Sequence, residues 1–142
     1  MKFAIIVSRF NTDITQGLLQ GAIAYLEEKK IKTDSQDIFY APGAFEIPLL
    51  AQKLARTKKY SGVICLGCVI KGDTAHFEFI SLGATTGLMQ AMLETETPIS
   101  FGILTTYNEA QAFHRSAGDA ENKGREAAAA CLDAAKTLQS IS

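Results

Sequence analysis

A chain of 142 residues, 47% apolar and 20% charged, fits one globule able to bury a core without disulfide or metal staples. Lys and Arg total 14 against 15 Asp and Glu, and this net charge of −1 excludes a nucleic-acid binder acting through bulk charge or a polybasic membrane patch. No apolar run approaches the ~18 residues needed to cross a bilayer.

The first residues, Met1-Lys2-Phe3-Ala4-Ile5-Ile6-Val7, lack the charged region, long apolar core and cleavage site of a secretory signal. The cytoplasm is the expected compartment. Residues 3–8 read as a strand, and residues 15–29 as a helix carrying Leu18, Leu19, Ala22, Ile23 and Leu26 at helical spacing. A second strand is predicted over 37–41. A second helix follows over 45–58, with Ile47, Leu50, Ala51 and Leu54 on one stripe and Pro48 in its first turn. The runs 62–69 and 99–105 are continuously apolar, which suits strands covered on both faces of a parallel sheet. Between them a long helix is expected over 75–94. Asn108 and Gln111 resemble a capping box for a short helix over 108–116, and a last helix is predicted over 120–139. This order implies an α/β chain: a three-layer α/β/α sandwich around a four-stranded parallel sheet, one domain over 1–142.

Cys65 and Cys68 form a CxxC, but inside a predicted strand, where positions i and i+3 face opposite sides and the sulfurs diverge. With only His76, His114 and Cys131 as further soft ligands, they read as small buried hydrophobes of a reducing compartment. Neither a metal nor a redox pair is expected.

In such a sheet ligands bind beyond the carboxyl ends of the strands, which singles out the segments after Val7, Tyr40, Gly67 and Leu104. The first, Ser8-Arg9-Phe10-Asn11, places an aromatic where it can stack on a flat heterocycle or simply pack under the next helix. In Pro42-Gly43-Ala44-Phe45-Glu46-Ile47-Pro48, small residues let backbone amides approach a ligand. Glu46 there serves either the helix dipole or sugar-like hydroxyls. In Val69-Ile70-Lys71-Gly72-Asp73-Thr74-Ala75-His76, a short turn feeds a long helix. Gly72, Asp73 and Thr74 offer amides to an anion, Lys71 adds a positive charge, and His76 lies where the helix dipole favours an uncharged imidazole. A neutral His beside a phosphate cradle suits general acid–base work, though a purely structural His fits the same pattern. Beyond the fourth strand, Arg115 can clamp a phosphate or be a plain surface residue.

Together these segments resemble the lumazine synthase family over essentially the whole chain. Arg9-Phe10-Asn11, the Pro42 to Pro48 segment, Val69 through Glu78, Phe101-Gly102-Ile103-Leu104-Thr105, Arg115 and Asn122-Lys123-Gly124 carry the likeness. The resemblance implies a flavodoxin-like fold. It also implies condensation of 5-amino-6-(ribitylamino)uracil with 3,4-dihydroxy-2-butanone 4-phosphate to 6,7-dimethyl-8-ribityllumazine. Phosphate and water are lost, and no cofactor takes part. It implies that Phe10 stacks on the pyrimidine, that Ala44, Phe45 and Glu46 line the ribityl chain, and that Val69 and Ile70 contact the heterocycle through their backbone. Gly72, Asp73 and Thr74, with Arg115 of a neighbouring subunit, would hold the phosphate, and His76 would shuttle protons. Phe101 and Lys123 would close the pocket from that neighbour.

Lys71 stands where many members have Arg, and Asp73 is expected to cap the helix with its side chain turned away. The chain begins almost at the first strand, without the N-terminal extension of many members, and residues 116–122 differ from those of shell-forming relatives. A homopentamer is therefore expected, with a sixty-subunit shell as the alternative assembly. The competing function is a paralogue of the same fold that binds flavin or lumazine, or builds a shell, without catalysis.

Overall fold

β1 (Phe3–Ser8) and β3 (Gly62–Ile70) are apolar runs buried on both faces, and they form the centre of a four-stranded parallel sheet. The protein is seen in a computed structural model that describes residues 1–141. β2 (Ile38–Ala41) and β4 (Ile99–Thr106) are the edges, giving the order β2-β1-β3-β4. Parallel neighbours need crossovers, supplied by α1 (Thr12–Glu28), α2 (Ile47–Arg56) and α3 (His76–Thr95). α4 (Glu109–Arg115) and α5 (Lys123–Ile141) follow β4.

One face of the sheet packs Ile5, Val7, Ile64, Leu66 and Cys68 against Leu18 and Ala22 of α1 and Ala128 and Leu132 of α5. The other packs Ala4, Ile6, Val63 and Cys65 against Ile47 and Ala51 of α2 and Ala84 and Leu88 of α3. The result is the expected three-layer α/β/α, flavodoxin-like architecture. Cys65 and Cys68 indeed lie in opposite layers, as the alternation of a strand requires.

Helix ends differ from the expected ones for local reasons. α1 begins at Thr12 rather than 15 because Asn11 (φ 64, ψ 50) turns the chain left-handed. Residues 44–46 form a single 3-10 turn before α2, which ends at Arg56, and the chain then leaves through Lys58 at φ 60. α5 starts at Lys123, because Asn122 Oδ1 accepts the N–H groups of Gly124 (2.8 Å) and Arg125 (3.0 Å). Asn108 Oδ1 accepts the Gln111 N–H at 2.9 Å as expected, but Gln111 Oε1 returns to the Tyr107 N–H (2.8 Å), one residue earlier than a capping box.

The chain passes from β1 outward to β2 and then to β3 on β1's other side. A crevice therefore opens where the carboxyl ends of β1 and β3 part.

Candidate active site

The segments after β1, β2 and β3 converge on a cavity of about 550 Å³ at that crevice. It is lined by nine of the expected residues: Phe10, Ala44, Phe45, Glu46, Val69, Ile70, Gly72, Thr74 and His76. Ala44 is buried, whereas Phe10 and Phe45 are 68% and 57% exposed, so two aromatic faces stand open to a ligand. Neither Gly43 nor Gly72 takes a positive φ, so close approach rather than backbone freedom is what these glycines give. A Cβ on Gly43 would come within 3.3 Å of Glu46 Oε1, which leans back over the turn; a Cβ on Gly72 would meet nothing.

The Gly72, Asp73 and Thr74 amides donate to no oxygen of the described residues and precede the positive end of α3. The expected Asp73 cap is not formed. Ala75 is the N-cap, without a side-chain hydrogen bond, and Thr74 Oγ1 instead accepts the His76 N–H at 3.3 Å. A Thr hydroxyl two residues before the helical N–H closes that turn more directly than the carboxylate behind it. His76 is the first residue of α3, and its side chain borders the cavity.

Lys71 and Asp73 do not line the cavity. Lys71 Nζ lies 3.2 Å from Glu78 Oε1 and 5.9 Å from the centre of the Phe77 ring. The Glu78 carboxyl is held below its ordinary value first by its own backbone N–H and then by Lys71. Much of the Lys71 charge is thus already answered within the chain.

Phe101, Arg115 and Lys123 are absent from this cavity and meet in a second one of about 280 Å³, with Thr105 and Thr106, beside β4 and the start of α5. Arg115 donates one N–H to the Gln111 carbonyl at 3.1 Å, and Lys123 Nζ pairs with Glu126 at 2.9 Å. The expected residues of one chain are therefore divided between two separate cavities. Asn11, Cys68, Phe77 and Ile80 also line the larger cavity without having been assigned a place there. Ile80 lies four positions after His76 on α3 and three after Phe77, a same-face spacing that could have shown Ile80.

Burial pushes the Cys68 thiol up to about 11, so it stays protonated at neutral pH and is no nucleophile for the site. Among the described residues, no three His, Cys, Asp or Glu side chains gather where they could hold a metal ion.

Set beside known proteins, the chain matches the family model of 6,7-dimethyl-8-ribityllumazine synthase over residues 1–139. The chain belongs to the lumazine synthase family. It is similar to 6,7-dimethyl-8-ribityllumazine synthase 1 of Caulobacter vibrioides, with 61% identity over 99% of this chain and 92% of that one. The lumazine synthase of Nitratidesulfovibrio vulgaris is 47% identical and that of Salinibacter ruber 46%, each over 99% of this chain and 90% of the relative. In a lumazine synthase scaffold the larger cavity, with its aromatic faces, free amides and His, is the candidate active site.

Proposed function

We propose that the chain is a transferase that condenses 5-amino-6-(ribitylamino)uracil with 3,4-dihydroxy-2-butanone 4-phosphate to give 6,7-dimethyl-8-ribityllumazine, a step of riboflavin biosynthesis. The observation that carries this reading is the meeting of Phe10, the Ala44-Phe45-Glu46 turn, Val69, Ile70 and His76 in one cavity. Phe10 gives the pyrimidine a stacking face, and Glu46 gives the ribityl hydroxyls an acceptor. The Val69 and Ile70 backbone meets the edge of the ring. The Gly72, Asp73 and Thr74 amides receive the phosphate, with Lys71 adding positive charge near that end. His76 moves protons during imine formation, phosphate elimination and ring closure, steps that need positioning more than a strong nucleophile.

Arg115, Phe101 and Lys123 belong, in this reading, to the site of the neighbouring subunit, because their own cavity is separate from that of His76. Self-association has independent support. Along α3, Phe79, Leu82, Met89 and Leu93 are all more than half exposed, and with Thr86 they fall at a 3-4-3-4 spacing. The opposite side of the helix buries Ala84, Leu88 and Ala91. A helix apolar on two sides is covered on two sides, and the spacing suits other copies of the same helix. A pentamer fits best. Light scattering would give about 75 kDa for five chains of 15.3 kDa, against nearly a megadalton for sixty. The three free, buried thiols suit a cytoplasmic setting.

The deciding assay supplies both substrates and follows lumazine absorbance and fluorescence. Product forming well above the spontaneous rate is expected. A rate equal to the spontaneous one would overturn the reading.

A further inference from the structure

The β1–β3 ladder ends at Val7 and Leu66, whereas β3 continues to Ile70, held on its far edge by β4 as far as Thr106. Beyond Val7 the chain turns away, and a side chain takes over the pairing. Asn11 Nδ2 donates to the Cys68 carbonyl at 3.1 Å. The Asn11 backbone is left-handed (φ 64, ψ 50), a conformation Asn adopts more readily than most residues with a side chain. Its carbonyl accepts the Ile14 and Thr15 N–H groups at 3.0 Å each and so starts α1. Phe10, 68% exposed, has little packing of its own to hold it. Its ring is therefore placed by the backbone on either side, which Ser8 Oγ ties at the Phe10 carbonyl (3.2 Å) and Thr12 Oγ1 at the Arg9 carbonyl (2.6 Å). Of the turn's side-chain bonds, the one from Asn11 is the one that reaches another strand.

We propose that Asn11 is a positioning residue: its tether to Cys68 sets the separation between Phe10 and the Val69–Ile70 backbone, and so the width of the slot that takes the flat pyrimidine. This inference rests on the ribitylaminouracil reading of that slot. Asn11 acts through its neighbours and needs no contact with the reacting atoms.

Asn11→Gly separates the tether from the backbone conformation, since Gly enters the left-handed region without strain but cannot donate to Cys68. Asn11→Asp sets a carboxylate oxygen against the Cys68 carbonyl and should be worse. Calorimetric titration with 5-amino-6-(ribitylamino)uracil alone, in the assembled protein, measures the slot without turnover. For Asn11→Gly we expect about tenfold weaker binding and a matching rise in KM for that substrate, the loss of one part-buried hydrogen bond. The KM for the phosphate substrate and the circular dichroism spectrum should be unchanged. A Gly variant that binds like wild type would show that Asn11 serves backbone conformation alone, and equal rises in both KM values would show general loosening. Either overturns the inference while leaving the functional reading intact. Wild-type protein that fails to bind the pyrimidine overturns both.

Discussion

His76 opens α3 with its side chain at the cavity, and the amides just before it are free to hold an anion. In the proposed reaction, removing the imidazole takes away proton transfer but leaves stacking, amide contacts and the approach of the two substrates. His76→Ala should therefore slow kcat by about 100-fold, the low end for a general acid–base residue, with both KM values little changed. Steady-state kinetics on each substrate check this, and wild-type turnover would remove His76 from the mechanism. Arg115 makes a different prediction. One of its N–H groups is taken by the Gln111 carbonyl, and Arg115 lines the smaller cavity. A charge-assisted contact is worth about 1.5–3 kcal/mol, so Arg115→Ala should raise the KM for butanone phosphate by about 10- to 100-fold and spare that for the pyrimidine. An unchanged KM for the phosphate substrate would contradict the assignment. Lys71, half-exposed and already facing Glu78, should matter less than either.

At the scale of elements, Asn122 joins what the helices alone would leave apart. It is 1% exposed, caps α5 with its Oδ1, and donates through Nδ2 to the Gly17 carbonyl of α1 (3.0 Å) and the Ala117 carbonyl (2.8 Å). Asn122→Ala loses a cap and two part-buried side-chain hydrogen bonds, for a cost of about 2–4 kcal/mol by urea denaturation. Asn122→Asp, which keeps the cap alone, should fall between. The other end of the sheet has its own clasp, where Asp37, 2% exposed, accepts from Tyr60 Oη at 2.9 Å and pairs with Lys2 Nζ at 3.4 Å. Burial first, and then donation to Asp37, raise the Tyr60 phenol above its ordinary 10.0. Burial likewise raises the thiols above 9.0, with Cys131 pushed up to about 12. Groups with raised values stabilise the fold below their unfolded pKa, and that contribution is lost as pH climbs toward the folded one. Denaturation free energy should thus decline from about pH 9 upward. Tyr60→Phe, less stable at pH 7 by about 1–2 kcal/mol, should close the gap to wild type above pH 10; a constant gap would exclude the phenol. Much of this architecture was legible beforehand. Apolar runs gave β1, β3 and β4 to within a residue or so; in β1 and β3 double-sided burial leaves no room for polar alternation, whereas β4 is an edge that leaves Phe101 and Thr105 exposed. Less legible were the starts of α1 and α5, set by the left-handed backbone of Asn11 and the local Asn122 cap, and least of all the bonds the same two side chains make across 57 and 105 residues of separation. The Asp73 cap failed for a similar reason: whether a nearby Thr or Asp closes a turn depends on backbone angles that composition does not encode.

At the scale of the whole molecule, the separation of the two cavities becomes a statement about stoichiometry. If His76 of one subunit works with Arg115 of the next, a chain lacking one residue can be completed by a chain lacking the other. If so, co-refolding His76→Ala with Arg115→Ala in equal amounts should give mixed assemblies in which about one interface in four joins a native His76 to a native Arg115. Lumazine formation at butanone phosphate well below its KM in the Arg115 variant should then approach a quarter of the wild-type rate, far above either variant alone. The dependence on mixing ratio is the stronger test. For shared sites the number of complete ones follows the product of the two fractions, so activity peaks near an equal mixture and falls to one variant's residual rate at each end. For a site contained within one chain no complete site ever forms, and activity runs linearly between the two residual rates. A straight line would place Arg115 in the same subunit's site and require the two cavities to be bridged within one chain. A peaked curve would require the neighbour, and it would give the exposed stripe on α3 its purpose, holding the partner that finishes the site.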